Sequence, residues 1–167
     1  MFVIEPLARH SRDSFRCGVE ALDHYLQRQV GQDTRRGIAA CFVAVDRASG
    51  TLAGFYTISA THVQLDQLDP EWRNKLPRYP FVPAARLGRL AVDQSFKGKK
   101  LGTILVADAV ARSVRSEVAT HSMIVDAKDD DAAAFYRHHG FRSTPQNPLQ
   151  LCAPLRWLAV SLGVAAR

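Results

Sequence analysis

Cysteine is scarce in this chain of 167 residues, which has only Cys17, Cys41 and Cys152, and none of them forms a C-x-x-C pair. An odd, scattered set of cysteines excludes a disulfide framework, so we expect reduced thiols, as in a cytosolic protein. Cys41 and Cys152 have apolar neighbours, which predicts inert core thiols rather than acyl-enzyme nucleophiles. No metal site is expected.

Long apolar runs are also missing, because none approaches the ~20 residues that a membrane-spanning helix needs. The first six residues lack the basic head and the long apolar stretch of a signal peptide. We therefore expect a cytoplasmic protein that does not enter a membrane. No repeat, low-complexity segment or linker divides the chain, which indicates one domain over residues 1–167.

Basic residues outnumber acidic ones, 22 against 16, which gives a formal charge of +6. Such a surplus favours polyanionic partners, including nucleic acid and phosphate-bearing cofactors. Many basic proteins bind neither, so the charge alone does not assign a partner.

Hydrophobic periodicity predicts strands and helices in an α/β order around one sheet. Strands are predicted at residues 2–7, 38–45, 51–60, 86–92, 123–125 and 149–160, and helices at 19–32, 101–118 and 130–139. Four prolines in residues 66–83 predict a long irregular excursion with one short helix near Pro70.

The most informative stretch is a strand ending at Leu90-Ala91-Val92, followed by a basic loop and a helix. The loop contains Lys97, Gly98, Lys99, Lys100, Leu101, Gly102 and Thr103. Glycines let backbone amides approach a ligand closely, and the first turn of a helix carries a partial positive charge. Together they predict a pyrophosphate-binding loop. An ordinary solvated basic loop is the alternative.

This loop resembles the acetyl-CoA motif of the GCN5-related N-acetyltransferases (GNATs), Q/R-x-x-G-x-G/A. Lys97 stands at the Gln/Arg position, Lys100 replaces the first glycine, and Gly102 keeps the last. The Lys100 departure changes how one backbone amide is presented, or places a charge beside the phosphates.

A second segment resembles the family's N-x-x-A-x-x-F-Y-x-x-x-G-F pattern. It contains Asp129, Ala132, Phe135, Tyr136, Gly140 and Phe141. Asp129 replaces the usual Asn and is predicted to cap the helix, and Gly140 is predicted to end it. The resemblance makes Tyr136 the general acid that protonates a departing thiolate. Plain core packing is the alternative for Phe135 and Phe141, and a half-buried aromatic is the alternative for Tyr136.

The GNAT resemblance implies a mixed, mostly antiparallel central sheet flanked by helices, with acetyl-CoA as cosubstrate. It makes Tyr136 catalytic. The implied cofactor-binding residues are Leu90, Ala91, Val92, the seven loop residues 97–103, Asp129 and Phe135. The backbone of residues 90–92 would polarise the thioester carbonyl and hold the pantetheine arm.

Two further segments are similar to the toxin acetyltransferases of type II toxin–antitoxin pairs. They are Phe15-x-Cys17-Gly18-x-x-x-Leu22-Asp23-x-Tyr25-Leu26, and Leu76-Pro77-Arg78-Tyr79-Pro80-Phe81-Val82-Pro83 before Gly88-Arg89-Leu90-Ala91-Val92. The resemblance implies acetylation of the α-amine of aminoacyl-tRNA, a ribbon-helix-helix antitoxin and a homodimer. It names neither the amino acid, the tRNA species nor the antitoxin.

Arginines flanking the cofactor motifs are candidates for phosphate contacts, with Arg78, Arg86 and Arg89 as the substrate-binding set. Trp72, Tyr79 or Phe81 would stack on a terminal base or pack inward. Two alternatives stay open: an acetyltransferase for another amine, and a non-catalytic RNA- or protein-binding module.

No His-Asp or paired-carboxylate constellation indicates a general base. His138 and His139 follow Tyr136 closely, and both are expected at the surface. Because the α-amine of an aminoacyl ester is less basic than a lysine amine, direct attack on the thioester needs no strong base.

Overall fold

The computed structural model describes residues 1–165, and within them seven strands have the spatial order β1-β2-β3-β4-β5-β7-β6. The strands are β1 (Phe2–Pro6), β2 (Ala40–Asp46), β3 (Leu52–Gln64), β4 (Phe81–Val92), β5 (Ser122–Asp126), β6 (Arg142–Thr144) and β7 (Asn147–Pro154). The α-helices are α1 (Glu20–His24), α2 (Val30–Arg35), α3 (Pro70–Arg73), α4 (Leu101–Val114), α5 (Asp130–His138) and α6 (Leu155–Ser161). The predicted α/β class with a mixed sheet is confirmed, because β4 and β5 pair in parallel whereas β1–β2, β2–β3, β5–β7 and β6–β7 are antiparallel.

One compact unit consists of residues 1–59 and 88–108. Its strands pair in the register Phe2↔Asp46 and Ala40↔Ile58. The rings of Phe15 and Tyr25 lie 5.6 Å and 6.4 Å from that of Phe55, all three fully buried. This core contains residues of the toxin-like N-terminal segment, which therefore supports the sheet.

The other compact unit consists of residues 60–87 and the chain from residue 109 onward. Here Ala84–Leu87 of β4 pairs with Ser122–Val125 of β5, and β5 pairs with β7. Its core cluster contains Val63, Leu68, Val82, Ala84, Ile124 and Cys152. Leu68 lies beyond β3 and is fully buried, so the start of the proline-rich excursion is anchored in this core.

The C-terminal prediction is wrong beyond Pro154, because residues 155–161 form α6 instead of continuing the strand. Leu155, Leu158 and Ala159 are buried at the i, i+3, i+4 spacing of a helix face, whereas Val160 is 84% exposed. Pro154 stands at the N-cap position with extended backbone, φ −60° and ψ 139°. The short strand β6 has no counterpart in the prediction.

Other boundaries differ as well. β3 continues to Gln64 and β4 begins at Phe81, so the irregular excursion is shorter than predicted. Its short helix is confirmed as α3, capped by the Asp69 carboxylate, which accepts from the Glu71 N–H at 2.9 Å. The helix predicted to Val118 ends at Val114, and Val118 is 71% exposed.

The helix predicted at residues 19–32 is divided into three parts. Tyr25–Gln29 is π-helical and separates α1 from α2. Tyr25 and Leu26 are buried within the π-helical part. Among residues 1–165, none of the helices has the length and apolar character needed to cross a membrane.

Candidate functional site

The basic loop predicted to bind phosphates lies in the first unit, between β4 and α4. A short 3₁₀ turn at Gln94–Phe96 follows β4, and the chain then turns through left-handed backbone at Gly98 (φ 80°) and Lys100 (φ 59°). Lys97, Lys99 and Lys100 are exposed, and the first turn of α4 contains no acidic residue. First-turn N–H groups beside cationic side chains provide the local chemistry of an anion site.

The N-terminal segment holds this loop in place. The Asp93 carboxylate accepts from the N–H groups of Arg16 and Ser95, both at 2.8 Å. The Gln94 N–H donates to the Arg16 carbonyl at 2.8 Å, and the Lys97 Nζ donates to the Cys17 carbonyl at 2.9 Å. Lys97 therefore supports the loop, a role that its position in the motif did not predict.

The strand residues predicted to hold the pantetheine arm lie at the end of β4. Ala91 is buried, whereas Leu90 and Val92 are half-buried. An added Cβ on Gly54 would lie 2.9 Å from the Ala91 carbonyl oxygen, so β3 approaches β4 closely. Only glycine at residue 54 allows this separation of the two strands.

Arg89 lies over an aromatic ring that sequence reasoning did not connect with it. Its guanidinium carbon is 3.6 Å from the centroid of the Tyr25 ring. The Tyr25 hydroxyl donates to Asp33 at 2.8 Å, and burial is the main cause that raises the pKa of this phenol. Arg89, Tyr25 and Asp33 thus form a contiguous set of side chains on the first unit.

Tyr136 lies in the second unit on α5, which begins at Asp130 as predicted and ends at His138, one residue before the predicted end. The Asp129 carboxylate caps the helix by accepting from the Ala132 N–H at 2.8 Å. Gly140 follows with a left-handed φ of 103°, and its carbonyl accepts from the Trp157 Nε1 at 3.0 Å. An added Cβ on Gly140 would lie 2.8 Å from the Ser161 Oγ, so this glycine also permits close packing.

The environment of the Tyr136 phenol is apolar. The residue is 7% exposed, and its ring makes edge contacts with Phe135 and Phe141, with centroids 5.2 Å and 5.6 Å away. Burial raises the pKa of Tyr136 to about 12. The hydroxyl is therefore protonated at neutral pH and suits a proton donor rather than a base.

The two neighbouring histidines differ from each other. His138 is exposed, as expected. The surface expectation is wrong for His139, which is 7% exposed and packs on Phe135 with ring centroids 4.5 Å apart. Its Nδ1 lies 2.7 Å from the Phe135 carbonyl oxygen, so the helix end provides a hydrogen-bond partner that permits burial.

The candidate tRNA-contacting side chains have different environments. Arg86 forms an ion pair with Asp126 at 2.7 Å. Trp72 is buried and packs inward, whereas Tyr79 and Phe81 are 62% and 51% exposed. Arg78 lines a cavity of about 550 Å³ in the second unit.

The cysteines have the environment of inert thiols. Cys41 and Cys152 are buried, as predicted for core thiols, and burial raises the pKa of both to about 12, which disfavours the nucleophilic thiolate. Within residues 1–165, no group of His, Cys, Asp and Glu side chains could hold a metal ion.

Comparison with known proteins gives a family match over residues 4–141 to the acetyltransferase (GNAT) family. A tRNA-acetylating toxin of Mycobacterium tuberculosis is 34% identical over 140 residues, which cover 83% of this chain and 82% of the relative. A structure of AtaT complexed with acetyl-methionyl-tRNAfMet superimposes with TM-score 0.86 at 26% identity, covering 96% of this chain and 98% of that chain. A tyrosine-to-phenylalanine mutant of AtaT, bound to the C-terminus of the antitoxin AtaR and to acetyl-CoA, gives TM-score 0.79 at 25% identity, covering 95% and 96%.

Proposed function

Because the chain belongs to the GNAT acetyltransferase family, we propose that it transfers acetyl from acetyl-CoA to the α-amine of aminoacyl-tRNA, as the toxin of a type II toxin–antitoxin pair. The observation that carries the proposal is the similarity, over most of both chains, to a tRNA-acetylating toxin. The AtaT structure with an acetylated aminoacyl-tRNA supports the same substrate class.

The basic loop fits a pyrophosphate. Left-handed backbone at Gly98 and Lys100 leads into the first turn of α4, and no acidic side chain in that turn would repel an anion. We assign residues 97–103 to the phosphates of acetyl-CoA and the backbone of residues 90–92 to its pantetheine arm. Asp129 and Phe135 support the helix that carries Tyr136, by capping it and by packing on the phenol ring.

Bound acetyl-CoA supplies an activated acetyl thioester. The substrate amine forms the new N–C bond as the C–S bond breaks, and Tyr136 gives its hydroxyl proton to the departing sulfur. The proton that the acylated nitrogen loses restores the phenol. A pKa of about 12 keeps Tyr136 protonated between turnovers. Because the α-amine of an aminoacyl ester is less basic than a lysine amine, its attack needs no strong general base.

The remaining parts of the proposal concern partners and organisation. The formal charge of +6 suits a tRNA substrate, and we place the enzyme in the cytoplasm, where aminoacyl-tRNA is used. AtaT bound to part of its antitoxin supports an antitoxin partner. A ribbon-helix-helix type for that partner and a homodimer follow from the toxin resemblance. The family match includes segments of both compact units, which supports one acetyltransferase domain over residues 1–167.

The test uses acetyl-CoA with a labelled acetyl group and total aminoacyl-tRNA. Label should appear on the amino acid attached to tRNA, and it should disappear when the tRNA is first deacylated, because the accepting amine is then absent. Binding should weaken steeply as salt rises, since each neutralised phosphate releases counterions. Label on deacylated tRNA, or none on aminoacyl-tRNA at any salt concentration, would reject the proposal.

A further inference from the structure

The second unit contains a cavity that the proposed chemistry does not use. Its volume is about 550 Å³, within the range of small-molecule sites. The lining residues are Leu65, Arg73, Asn74, Leu76, Arg78, Tyr79 and Pro80. Two arginines, an asparagine and a tyrosine thus line the cavity together with apolar residues, which suits a ligand with an anionic group and a flat apolar group.

The two arginines differ from Arg86 and Arg142 of the same unit, which are paired with carboxylates. Arg86 is paired with Asp126 at 2.7 Å, and Arg142 with Glu71 at 2.9 Å. Across residues 1–165, neither Arg73 nor Arg78 forms an ion pair with a carboxylate. Two guanidiniums that line one cavity without a carboxylate partner are suited to a phosphate, which guanidinium binds with paired hydrogen bonds.

Exposed aromatic rings lie on the same segment. Tyr79 lines the cavity and is 62% exposed. Phe81 lies two residues later in the chain and is 51% exposed. The exposed His62 ring packs on Phe81, with centroids 4.6 Å apart. Exposed aromatic rings beside unpaired arginines are the usual means of binding unpaired nucleotides, whose bases stack while their phosphates pair with guanidinium.

We propose that this cavity binds the single-stranded 3′ end of tRNA, with Arg73 and Arg78 on a phosphate and Tyr79 stacked on a base. The inference rests on the proposed function and names the part of the substrate that these residues contact. The nucleotide of coenzyme A also has a base and phosphate groups, so it could make the same kinds of contact. The tRNA end is favoured because Tyr79 lines the cavity and a second exposed ring, Phe81, lies two residues further along the chain, whereas a nucleotide cofactor has only one base to stack.

The experiment uses fluorescence anisotropy to measure binding of two RNA minihelices that carry no amino acid. One has a single-stranded ACCA 3′ end and the other has a blunt end. Arg78→Ala and Tyr79→Ala should each weaken binding of the tailed minihelix about tenfold, and Tyr79→Phe should keep it near wild type. Binding of the blunt minihelix should change far less. Arg115→Ala is the control, because it removes the charge of an exposed arginine of the same unit that lies outside the cavity.

Equal loss for tailed and blunt minihelices, or a loss in Arg115→Ala equal to that in Arg78→Ala, would overturn the assignment and leave a general electrostatic effect. Weaker binding of coenzyme A in the cavity variants, with unchanged binding of the tailed minihelix, would overturn it in favour of the cofactor. If wild type acetylates aminoacyl-tRNA but the variants bind the tailed minihelix normally, only the cavity assignment fails. If the wild-type protein binds neither minihelix and acetylates no aminoacyl-tRNA, both the cavity assignment and the proposed function fail.

Discussion

The guanidinium carbon of Arg142 lies 4.3 Å from the centroid of the Trp72 ring, and one of its nitrogens is 2.9 Å from a Glu71 carboxylate oxygen. The same guanidinium is 3.3 Å from Asp69 and 5.1 Å from the Trp157 ring. Arg142 therefore connects β6 with α3 and α6 through several weak interactions. Its partners include the N-cap residue Asp69 and two residues of the short helix α3, which by itself has too few residues to be stable.

Replacing Arg142 with alanine should lower the free energy of unfolding by about 1–2 kcal/mol, from the cation–π contacts and the partly exposed ion pairs. Urea denaturation measures this change. Arg142→Lys should recover only part of the loss, because an ammonium does not stack as a guanidinium does. Arg115→Ala is the matched control, and an equal effect in both alanine variants would contradict the prediction.

Lys100 adopts left-handed backbone, φ 59°, at the position where the GNAT motif has glycine. Lys100→Gly should therefore raise the free energy of unfolding by about 0.5–1 kcal/mol. This is the difference between the backbone strain that glycine relieves and the larger conformational entropy that glycine loses on folding. Lys99→Gly should lower it, because Lys99 has no left-handed strain to relieve. Urea denaturation of the two variants gives opposite signs if this account is correct, and equal signs would refute it.

Tyr136→Phe should lower kcat by about 100-fold or more, since only the proton donor is lost and the ring still packs against Phe135 and Phe141. Acetyl-CoA affinity, measured by calorimetry, should stay near wild type. Wild-type turnover in this variant would remove Tyr136 from the mechanism. The far-UV spectrum and the unfolding midpoint serve as controls for folding.

Stability should fall as the pH rises from about 9 to about 12. Burial raises the pKa of Cys41 and of Cys152 from 9.0 to about 12 and that of Tyr136 from 10.0 to about 12, so the unfolded chain ionises first. The neutral folded groups stabilise the protein fully below the unfolded pKa values, and this contribution is lost as the pH approaches the folded ones. Urea denaturation at about pH 8 and about pH 10.5 measures the effect. Cys152→Ala should reduce the pH dependence, and an unchanged dependence would count against Cys152 as one of its sources.

Sequence patterns predicted the features whose causes are local. The Asp129 cap and the Gly140 stop depend on neighbouring residues, and both are found as expected. The strand, basic loop and helix around residues 90–114 also follow from short-range signals. The strand predicted at residues 149–160 is wrong beyond Pro154 because a continuous apolar stretch has the same pattern in a strand and in a buried helix, and Pro154 alone marks the boundary.

Other features depend on contacts between distant parts of the chain. The burial of His139 requires a carbonyl placed by the end of α5, and the contact of Arg89 with Tyr25 joins β4 to the N-terminal helical segment. That Arg73 and Arg78 line one cavity without carboxylate partners is a property of the folded surface. Residue types and spacing carry no signal for any of these.

The π-helical stretch Tyr25–Gln29 has a consequence for comparison with relatives. A π-helical turn accommodates one more residue than an α-helical turn, so it is equivalent to an insertion that has not displaced the flanking helices. A relative whose corresponding helix is entirely α-helical would align with a one-residue gap here. Placing that gap elsewhere would rotate the intervening residues by ~100° and assign the equivalent of Tyr25 to the wrong face.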